Sequence, residues 1–310
     1  MAENQRNSIY ISPETVFGVT DATPTFEKVS NTGDTLSLTR DFSGSNEKRS
    51  DRQRSCMQAG VKSVAGDINA EFKEDSHDAL WQAWFQSSFV VDGGGSGIDE
   101  LKAGTTAPSF TVIAEQEDLT TGAFSIFTGV RVNTFGLEVS PKPELPLTFG
   151  LIGKDMEQVN TAPAGSTFGV LGENCPITGF VGVLKIDNTT VGYVTELSLS
   201  GENGMQSENV VFSDTANKIS SSKSMVSGSL SYQWEDNVLI DKYLAGDSIA
   251  LEFELQGATQ KYRFILPNIT FTSGSPDRSS SEGTMIVTAN FEASYDATEG
   301  SQLTLQKEAI

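Results

Sequence analysis

Two short segments decide the fold: Gly-Asp-Ile-Asn-Ala-Glu-Phe at residues 66–72 and Gly-Ser-Leu-Ser-Tyr-Gln-Trp at residues 228–234. Each begins with glycine and then places apolar side chains at alternate positions. Consecutive side chains of a β-strand point to opposite faces of a sheet, so this alternation predicts a half-buried strand in each place. Similar period-two segments recur along the chain and indicate an all-β protein.

A short helix is predicted directly after each of these two strands. Residues 75–86 place Ala79, Leu80, Ala83 and Trp84 on one helical stripe, and Asp75 or Ser76 is the expected N-terminal cap. Residues 236–244 show the same apolar spacing, and Gly246 is the expected terminator. The strand-to-helix unit is therefore predicted twice.

The match between the two copies extends to both sides of these units. A long polar loop precedes each central strand, at residues 41–63 and 201–224. Further matching segments are 35–39 with 196–200, 110–116 with 249–255, and 147–151 with 287–291. Such order favours an internal duplication over chance. We therefore expect two tandem β-sandwich or barrel domains, each with one short helix.

Linker composition places the boundary of these domains. The first domain is expected at residues 1–160, with an N-terminal arm and a basic loop at 40–63. A linker at 161–176 follows, since Thr-Ala-Pro-Ala-Gly-Ser opens it. The second domain is expected at 177–310, with a C-terminal arm. A glycine-rich stretch at 91–97 is predicted to be a surface insertion that the second copy lacks.

Composition limits the function classes. The 310 residues carry 41 acidic and 21 basic side chains, a formal net charge of −20, which disfavours nucleic-acid binding because phosphate contacts need clustered cations. Cys56 and Cys175 match neither a disulfide framework nor a metal-ligand spacing. The polar first residues and the lack of a long apolar stretch predict a cytosolic chain without a membrane segment.

No catalytic, cofactor or metal site is predicted. His77 is the one histidine, and at a helix start it is expected to be a surface or capping residue. With one His and two separated Cys, a soft-metal site is not expected, and no phosphate-binding loop or nucleophile elbow is present. Paired carboxylates stay open as a hydrolase alternative, because their separation is set in space.

The most informative charged segment is the basic loop, where Arg40, Lys48, Arg49, Arg52 and Arg54 outnumber the nearby carboxylates, including Glu47 and Asp51. A net-positive loop on an acidic subunit indicates docking onto an acidic face of another copy through Arg–carboxylate contacts. These seven residues are the predicted inter-subunit contacts. The alternative is a solvated loop that binds nothing.

Three stretches together resemble the tail tube, or major tail, proteins of long-tailed bacteriophages. They are Glu-Thr-Val-Phe-Gly-Val-Thr at 14–20 with Pro24 following, Ser-Asn-Glu-Lys-Arg-Ser-Asp-Arg-Gln at 45–53, and Val-Ala-Gly-Asp-Ile at 64–68. The second is the most specific, and the second half of the chain lacks it. The resemblance is carried by residues 9 to about 85; beyond them only the strand pattern and the duplication support it.

This resemblance implies a structural virion protein of the tail, assembled in the host cytoplasm and without enzymatic activity. It implies sheets that join around a ring into a lumenal barrel, and a long loop and termini that reach the next ring. It also implies an acidic lumen through which DNA passes without specific binding. The partners would be further copies of the chain and other tail proteins at the tube ends.

The duplication adds an expectation of stoichiometry. If each domain fills one position of a six-membered ring, three copies should close a ring with pseudo-sixfold symmetry. Two other structural functions stay open: a tail terminator or baseplate-hub component, and a carbohydrate-binding adhesin. For the adhesin, Trp81, Trp84 and Trp234 could stack on sugars, although their positions favour core packing.

Overall fold

The computed structural model describes residues 6–91, 97–276 and 283–310, and the predicted 91–97 insertion lies mostly outside them. Strands dominate. The first half contains β1 Asn7–Pro13, β2 Thr25–Val29, β3 Gly33–Asp34, β4 Ser37–Gly44, β5 Met57–Glu71, α1 Asp78–Phe85, β6 Val90–Val91, β7 Ile98–Lys102, β8 Phe110–Gln116, β9 Phe124–Val139, β10 Pro146–Gly153, β11 Asp155–Val159 and β12 Thr167–Phe168. The prediction of a mostly β chain with two short helices is confirmed.

The second half contains β13 Gly182–Ile186, β14 Thr189–Thr190, β15 Val194–Glu202, β16 Gln206–Glu208, β17 Lys218–Ser220, β18 Met225–Gln233, α2 Val238–Ala245, β19 Ser248–Gln256, β20 Gln260–Phe271, β21 Ser275–Pro276, β22 Ile286–Ala293 and β23 Thr304–Ala309. The two quoted segments lie at the ends of β5 and β18, each just before a helix. Period-two patterning therefore located both central strands.

The order of strand pairing is the same in the two halves. In the first half the antiparallel pairs run β1–β8–β9–β10–β5–β4, with β11 on β9. In the second half they run β13–β19–β20–β22–β18–β15, with β23 on β20. Each segment match predicted from the sequence falls on strands with the same place in this order.

Even the irregularities recur. In the first half the pair Phe110–Val130 is followed by a register shift before Val112 meets Phe127. In the second half Ile249–Ile269 is followed by a shift before Leu251 meets Leu266. A β-bulge bends a strand locally. Both halves therefore turn their sheet at the same point.

One long sheet crosses both halves. The lower part of β9 pairs with β10 on one edge and with β15 on the other, from Val139–Leu197 to Thr134–Glu202. This β9–β15 pairing, called the in-chain joint below, gives the strand order β4–β5–β10–β9–β15–β18–β22–β21, which we call the long sheet. The upper part of β9 pairs instead with β8 and β11.

The main hydrophobic core is shared between the halves. Trp81 of α1 is fully buried, with its ring centroid 5.0 Å from Phe135 and 5.1 Å from Phe149 in the first half. It also lies 5.6 Å from Phe264 in β20. Helix α1 is thus sandwiched between elements of both halves, and β7 pairs with β23 across them. Burial of Trp81 and of Trp84 confirms their predicted core role.

The helix boundaries differ in detail from the expectation. Neither Asp75 nor Ser76 caps α1; the N-cap position is taken by His77, without a side-chain cap bond. Asp75 binds Lys307, and the Ser76 hydroxyl accepts a hydrogen bond from the Ser30 N–H instead. Helix α2 ends as predicted, with Gly246 in the left-handed conformation at φ 71°.

His77 is not the surface residue expected from the sequence. Its side chain is buried, with Nε2 2.9 Å from the Ser30 carbonyl oxygen. Its ring lies 6.3 Å from that of Phe149. The surface alternative was wrong because Ser30 and Phe149, which contact the ring, are distant in sequence, whereas His77 does occupy the N-cap position of α1.

Candidate functional site: a polar sheet face and two strand edges

The face of the long sheet that points away from the core is polar. In β18, Leu230 and Tyr232 are buried, and Ser229 and Ser231, which alternate with them, lie on the opposite face. Register extends this alternation across the neighbouring strands. The polar face comprises alternate residues in these intervals: 37–39 of β4, 63–71 of β5, 146–150 of β10, 134–138 of β9, 196–202 of β15, 227–233 of β18 and 286–292 of β22.

Hydroxyl groups on the polar face bind one another across strands. Ser198 and Ser229 are 2.8 Å apart, and Ser231 and Thr288 are 3.0 Å apart. In the first half Thr39 and Ser63 are 2.7 Å apart. Such pairs satisfy each other without a charge. At these positions the face therefore carries short, uncharged side chains whose hydroxyl groups bind each other.

The charges on the polar face are all of one sign. Its carboxylates are Asp67, Glu71, Glu138, Glu196, Glu202 and Glu292. Within the described strands, these intervals hold no Lys or Arg. Arg131 lies one row beyond; its Nη1 donates to the Ile219 carbonyl oxygen and its guanidinium stacks on Phe17. A polyanion meeting this face would find repulsion and no cation to bind.

Two edges end the long sheet in the described part of the chain. Strand β4 pairs with β5 alone, and β21 pairs with β22 alone. Under the repeated pairing order, β4 is the counterpart of β15 and β20–β21 is the counterpart of β9. Those counterparts are joined to each other at the in-chain joint. An exposed strand edge is a template for pairing with another chain.

The predicted contact residues lie on the hairpin formed by β4 and β5, which extends beyond the body of the sheet and is exposed from Asn46 to Ala59. Arg49 and Asp51 form a two-bond pair at 3.0 and 2.7 Å within the loop, which raises the pKa of Arg49 and lowers that of Asp51. Arg52 adopts φ 61° in a turn where its N–H meets the Arg49 carbonyl.

Arg40 has a partner within the same chain. Its Nη2 lies 3.0 Å from Asp214 Oδ2, and the Lys62 N–H donates to the Asp214 carbonyl at 2.8 Å. These bonds hold the β16–β17 connection of the second half against the hairpin of the first. Arg54 lies against Met57, with Nη1 3.5 Å from Sδ. Among the described residues, none lies close enough to form a salt bridge, at 4.0 Å or less, with Glu47, Lys48, Arg52 or Arg54.

Residues 40–63 were predicted as a basic loop, and that prediction was wrong in part, because 40–44 belong to β4 and 57–63 to β5, which pair with each other and leave only 45–56 as their connection. The polar face was missed. The signal was present, since Ser198, Ser200, Ser227, Ser229 and Ser231 alternate with apolar residues in two predicted strands. Alternation shows that a strand has a wet face. It does not show that seven strands place their polar faces side by side, which depends on long-range pairing.

Other classes of site receive no support from the described residues. No group of three or more His, Cys, Asp and Glu side chains there could hold a metal ion. None of the helices in the described ranges has the length and apolar character required to cross a bilayer. Both cysteines are exposed and free.

Comparison with known proteins agrees with this geometry. A family model described as phage tail tube protein matches residues 4–293, nearly the whole chain. No curated protein matches the sequence.

Proposed function

The chain belongs to the phage tail tube protein family, a structural component of the virion tail, and from that premise we propose how it builds the tube. Three copies close into a ring with pseudo-sixfold symmetry, and rings stack into a tube through which DNA passes. The chain arose by duplication of one tube unit, with residues 1–160 and 177–310 as its copies and 161–176 as the linker. Assembly takes place in the host cytoplasm, and other tail proteins bind the tube ends.

The in-chain joint carries this proposal. It joins the β9 edge of one half to the β15 edge of the other. The counterparts of those two edges, on β20–β21 and β4, are the ones left without a partner in the described chain. Pairing them between copies repeats the same joint head to tail, and a heterologous contact of this kind closes a ring when its rotation allows.

Ring size follows from strand count. Three copies would place roughly 24 long-sheet strands in one barrel, and strands about 4.8 Å apart tilted by about 40° give a backbone diameter of roughly 50 Å. Side chains narrow this opening and still leave room for a nucleic-acid duplex. Closure also removes both free edges, which would otherwise promote aggregation.

The polar face would line the channel. Its hydroxyl and carboxylate groups carry no positive charge that could bind phosphate. DNA therefore keeps its counterions and can move along the face without forming a bound complex. In a closed sheet this arrangement would give the channel an acidic wall. We assign the chain no catalytic activity.

The hairpin of β4 and β5 would dock onto the neighbouring ring. At the opposite end of the long sheet, Glu138, Glu144, Glu235 and Asp236 are exposed together with Lys142, so carboxylates predominate there. A hairpin with cations that have no partner in the described chain is complementary to that acidic end.

Replacing Arg49, Arg52 and Arg54 together with Ser should leave a folded subunit that forms rings but stacks poorly at moderate salt. Tube length in negative-stain images measures this. The matched control replaces Lys218, Lys242 and Lys261 with Ser, which removes equal charge elsewhere. Tubes of normal length from the arginine variant would contradict the docking role.

Ring composition is the test of the whole proposal. The purified chain should form tubes or free rings in negative stain, and native mass spectrometry of rings should give three chains. Symmetry averaging should show six similar lobes that differ in alternate positions. Six chains in a ring, or a chain that remains monomeric at high concentration, would overturn the proposal.

A further inference from the structure

The in-chain joint contains a contact between a large side chain and a glycine. Gly201 of β15 lies opposite Phe135 of β9. A Cβ atom on Gly201 would lie 2.3 Å from ring atoms of both Phe135 and Trp84, so no larger residue fits there. The Phe135 and Trp84 rings, 4.5 Å apart and edge to face, fill the space above the glycine.

The counterparts of these residues are set by register. Leu38 lies opposite Val64, and Gly201 lies opposite Val226; each valine stands two residues before the glycine that opens a quoted segment. Leu38 is thus the counterpart of Gly201, which corrects by two residues the match of 35–39 with 196–200 made from the sequence.

For β9, the pair Gly136–Thr148 corresponds to Ser275–Thr288, and Leu137–Leu147 corresponds to Pro276–Val287. Counting back one residue makes Gly274 the counterpart of Phe135.

The sizes are therefore reversed at the edges that would meet between copies. We infer that Leu38 of one copy packs onto Gly274 of the next, beneath helix α2, so that the large residue comes from β4 and the glycine from the β20–β21 edge. This inference rests on the proposed ring. It names the residues that make the joint between copies specific.

Gly274 is buried, and a Cβ there would meet Ala289 at 3.6 Å and Tyr243 of α2 at 3.7 Å, which are ordinary contact distances. The uncovered surface beside it belongs to helix α2. Leu244 of α2 is 74% exposed, whereas Trp84 at the matching place of α1 is 3% exposed. In α1 that cover comes from β15 across the in-chain joint.

A second copy is the occupant because the chain already contains the same contact in its complete form. At the in-chain joint Asn203 follows β15 and its Nδ2 donates to the Trp84 carbonyl at 2.8 Å, so the incoming strand binds the helix as well as the sheet edge. The incoming β4 would cover Leu244 in the same way. Both joints then pair one large apolar residue with one glycine. In the in-chain joint the glycine lies on β15, and in the joint between copies it lies on the β20–β21 edge.

Substitution and exchange test the contact in the full-length chain. Gly274→Phe should raise the concentration needed for ring formation by about tenfold or more, because Phe and Leu38 then compete for one space. The double variant Leu38→Gly with Gly274→Phe reproduces the arrangement of the in-chain joint and should recover most of the wild-type assembly. Light scattering and negative stain measure assembly, and thermal unfolding at low concentration checks folding.

Gly172→Phe is the matched control, since no heavy atom lies within 4 Å of a Cβ there and the site is in the linker. If Gly274→Phe assembles like the wild type, or if the double variant is no better than Gly274→Phe, the inference is wrong while the ring proposal stands. If the wild-type chain forms no rings, the ring proposal itself fails.

Discussion

Glu74 ties the two halves together at a single buried carboxylate. It is 3% exposed and accepts hydrogen bonds from the Thr259 N–H and hydroxyl, each at 3.0 Å, and from the Gln260 N–H at 3.2 Å. Glu74 precedes α1, while Thr259 turns the chain from β19 to β20. Charge-assisted bonds of this kind are stronger than neutral ones.

Replacing Glu74 with Ala should lower the free energy of unfolding by about 1–3 kcal/mol, because two backbone N–H groups and one hydroxyl lose a charged acceptor. Urea unfolding followed by tryptophan fluorescence measures the change. Glu173→Ala, at an exposed linker carboxylate, is the control and should change little. Equal stability of the two variants would show that the Glu74 bonds are replaced by water.

Burial of His77 should make the free energy of unfolding depend on pH in the mildly acidic range. Desolvation lowers the pKa of His77 below its ordinary value, so the unfolded chain takes up this proton at a higher pH than the folded chain. Above about pH 6.5 the protonation of His77 therefore does not reduce the free energy of unfolding. As the pH decreases from that value, the free energy of unfolding decreases by at most about 1.4 kcal/mol per pH unit. His77 is the one histidine of the chain.

We expect His77→Gln to remove this slope between pH 7 and 5.5, whatever its effect on stability at neutral pH. Chemical unfolding at a series of pH values measures it, with the wild type as reference. A variant with the same slope as the wild type in that range would assign the dependence to carboxylates instead.

Strand β15 depends on the missing side chain of Gly201. Replacing Gly201 with Ala puts a Cβ atom into Phe135 and Trp84 and should cost about 1–3 kcal/mol of unfolding free energy. Gly136→Ala is the matched control, on the polar face of β9 where a Cβ would meet no heavy atom within 4 Å. If both variants unfold at the same urea concentration, β15 accommodates the added methyl group by moving, and the contact of Gly201 with Phe135 and Trp84 does not limit stability.

At the level of elements, the sequence predicted those features that depend on interactions between residues close together in the chain. Both helices were located within three residues, because apolar spacing and the Gly246 terminator act over a few positions. The Asp75 and Ser76 caps were wrong because Lys307 and Ser30 come from distant parts of the chain. Sequence pattern could not show that β9 pairs with both β10 and β15, or that β20 covers α1.

The two halves illustrate the same limit for the site. The matching segments could be aligned by eye, and their strands take the same places in the pairing order. Which edges remain open depends on the in-chain joint, a contact between strands far apart in sequence. Pro276 at one open edge supplies no N–H, which reduces the backbone hydrogen bonds that this edge can offer to another strand.

At the scale of the whole molecule, the positions of the cations are more informative about function than the net charge of −20. The cations of the described chain are kept off the polar face, while the hairpin concentrates them at one end of the long sheet. A general solubility charge would place cations on every surface. The separation of the two signs therefore fits a channel wall with a charged docking end.

Adding cations to the polar face should convert a passive wall into a binding surface. Ser200 and Thr288 are exposed there, and replacing both with Lys should make assembled tubes retain linear DNA, with release as salt rises because phosphate contacts displace counterions. Thr121→Lys with Thr189→Lys gives the same change in net charge at exposed positions outside the long sheet. Co-sedimentation of DNA with tubes measures the difference. Equal retention by the two variants would mean that DNA responds to total charge, and that the polar face does not line the channel.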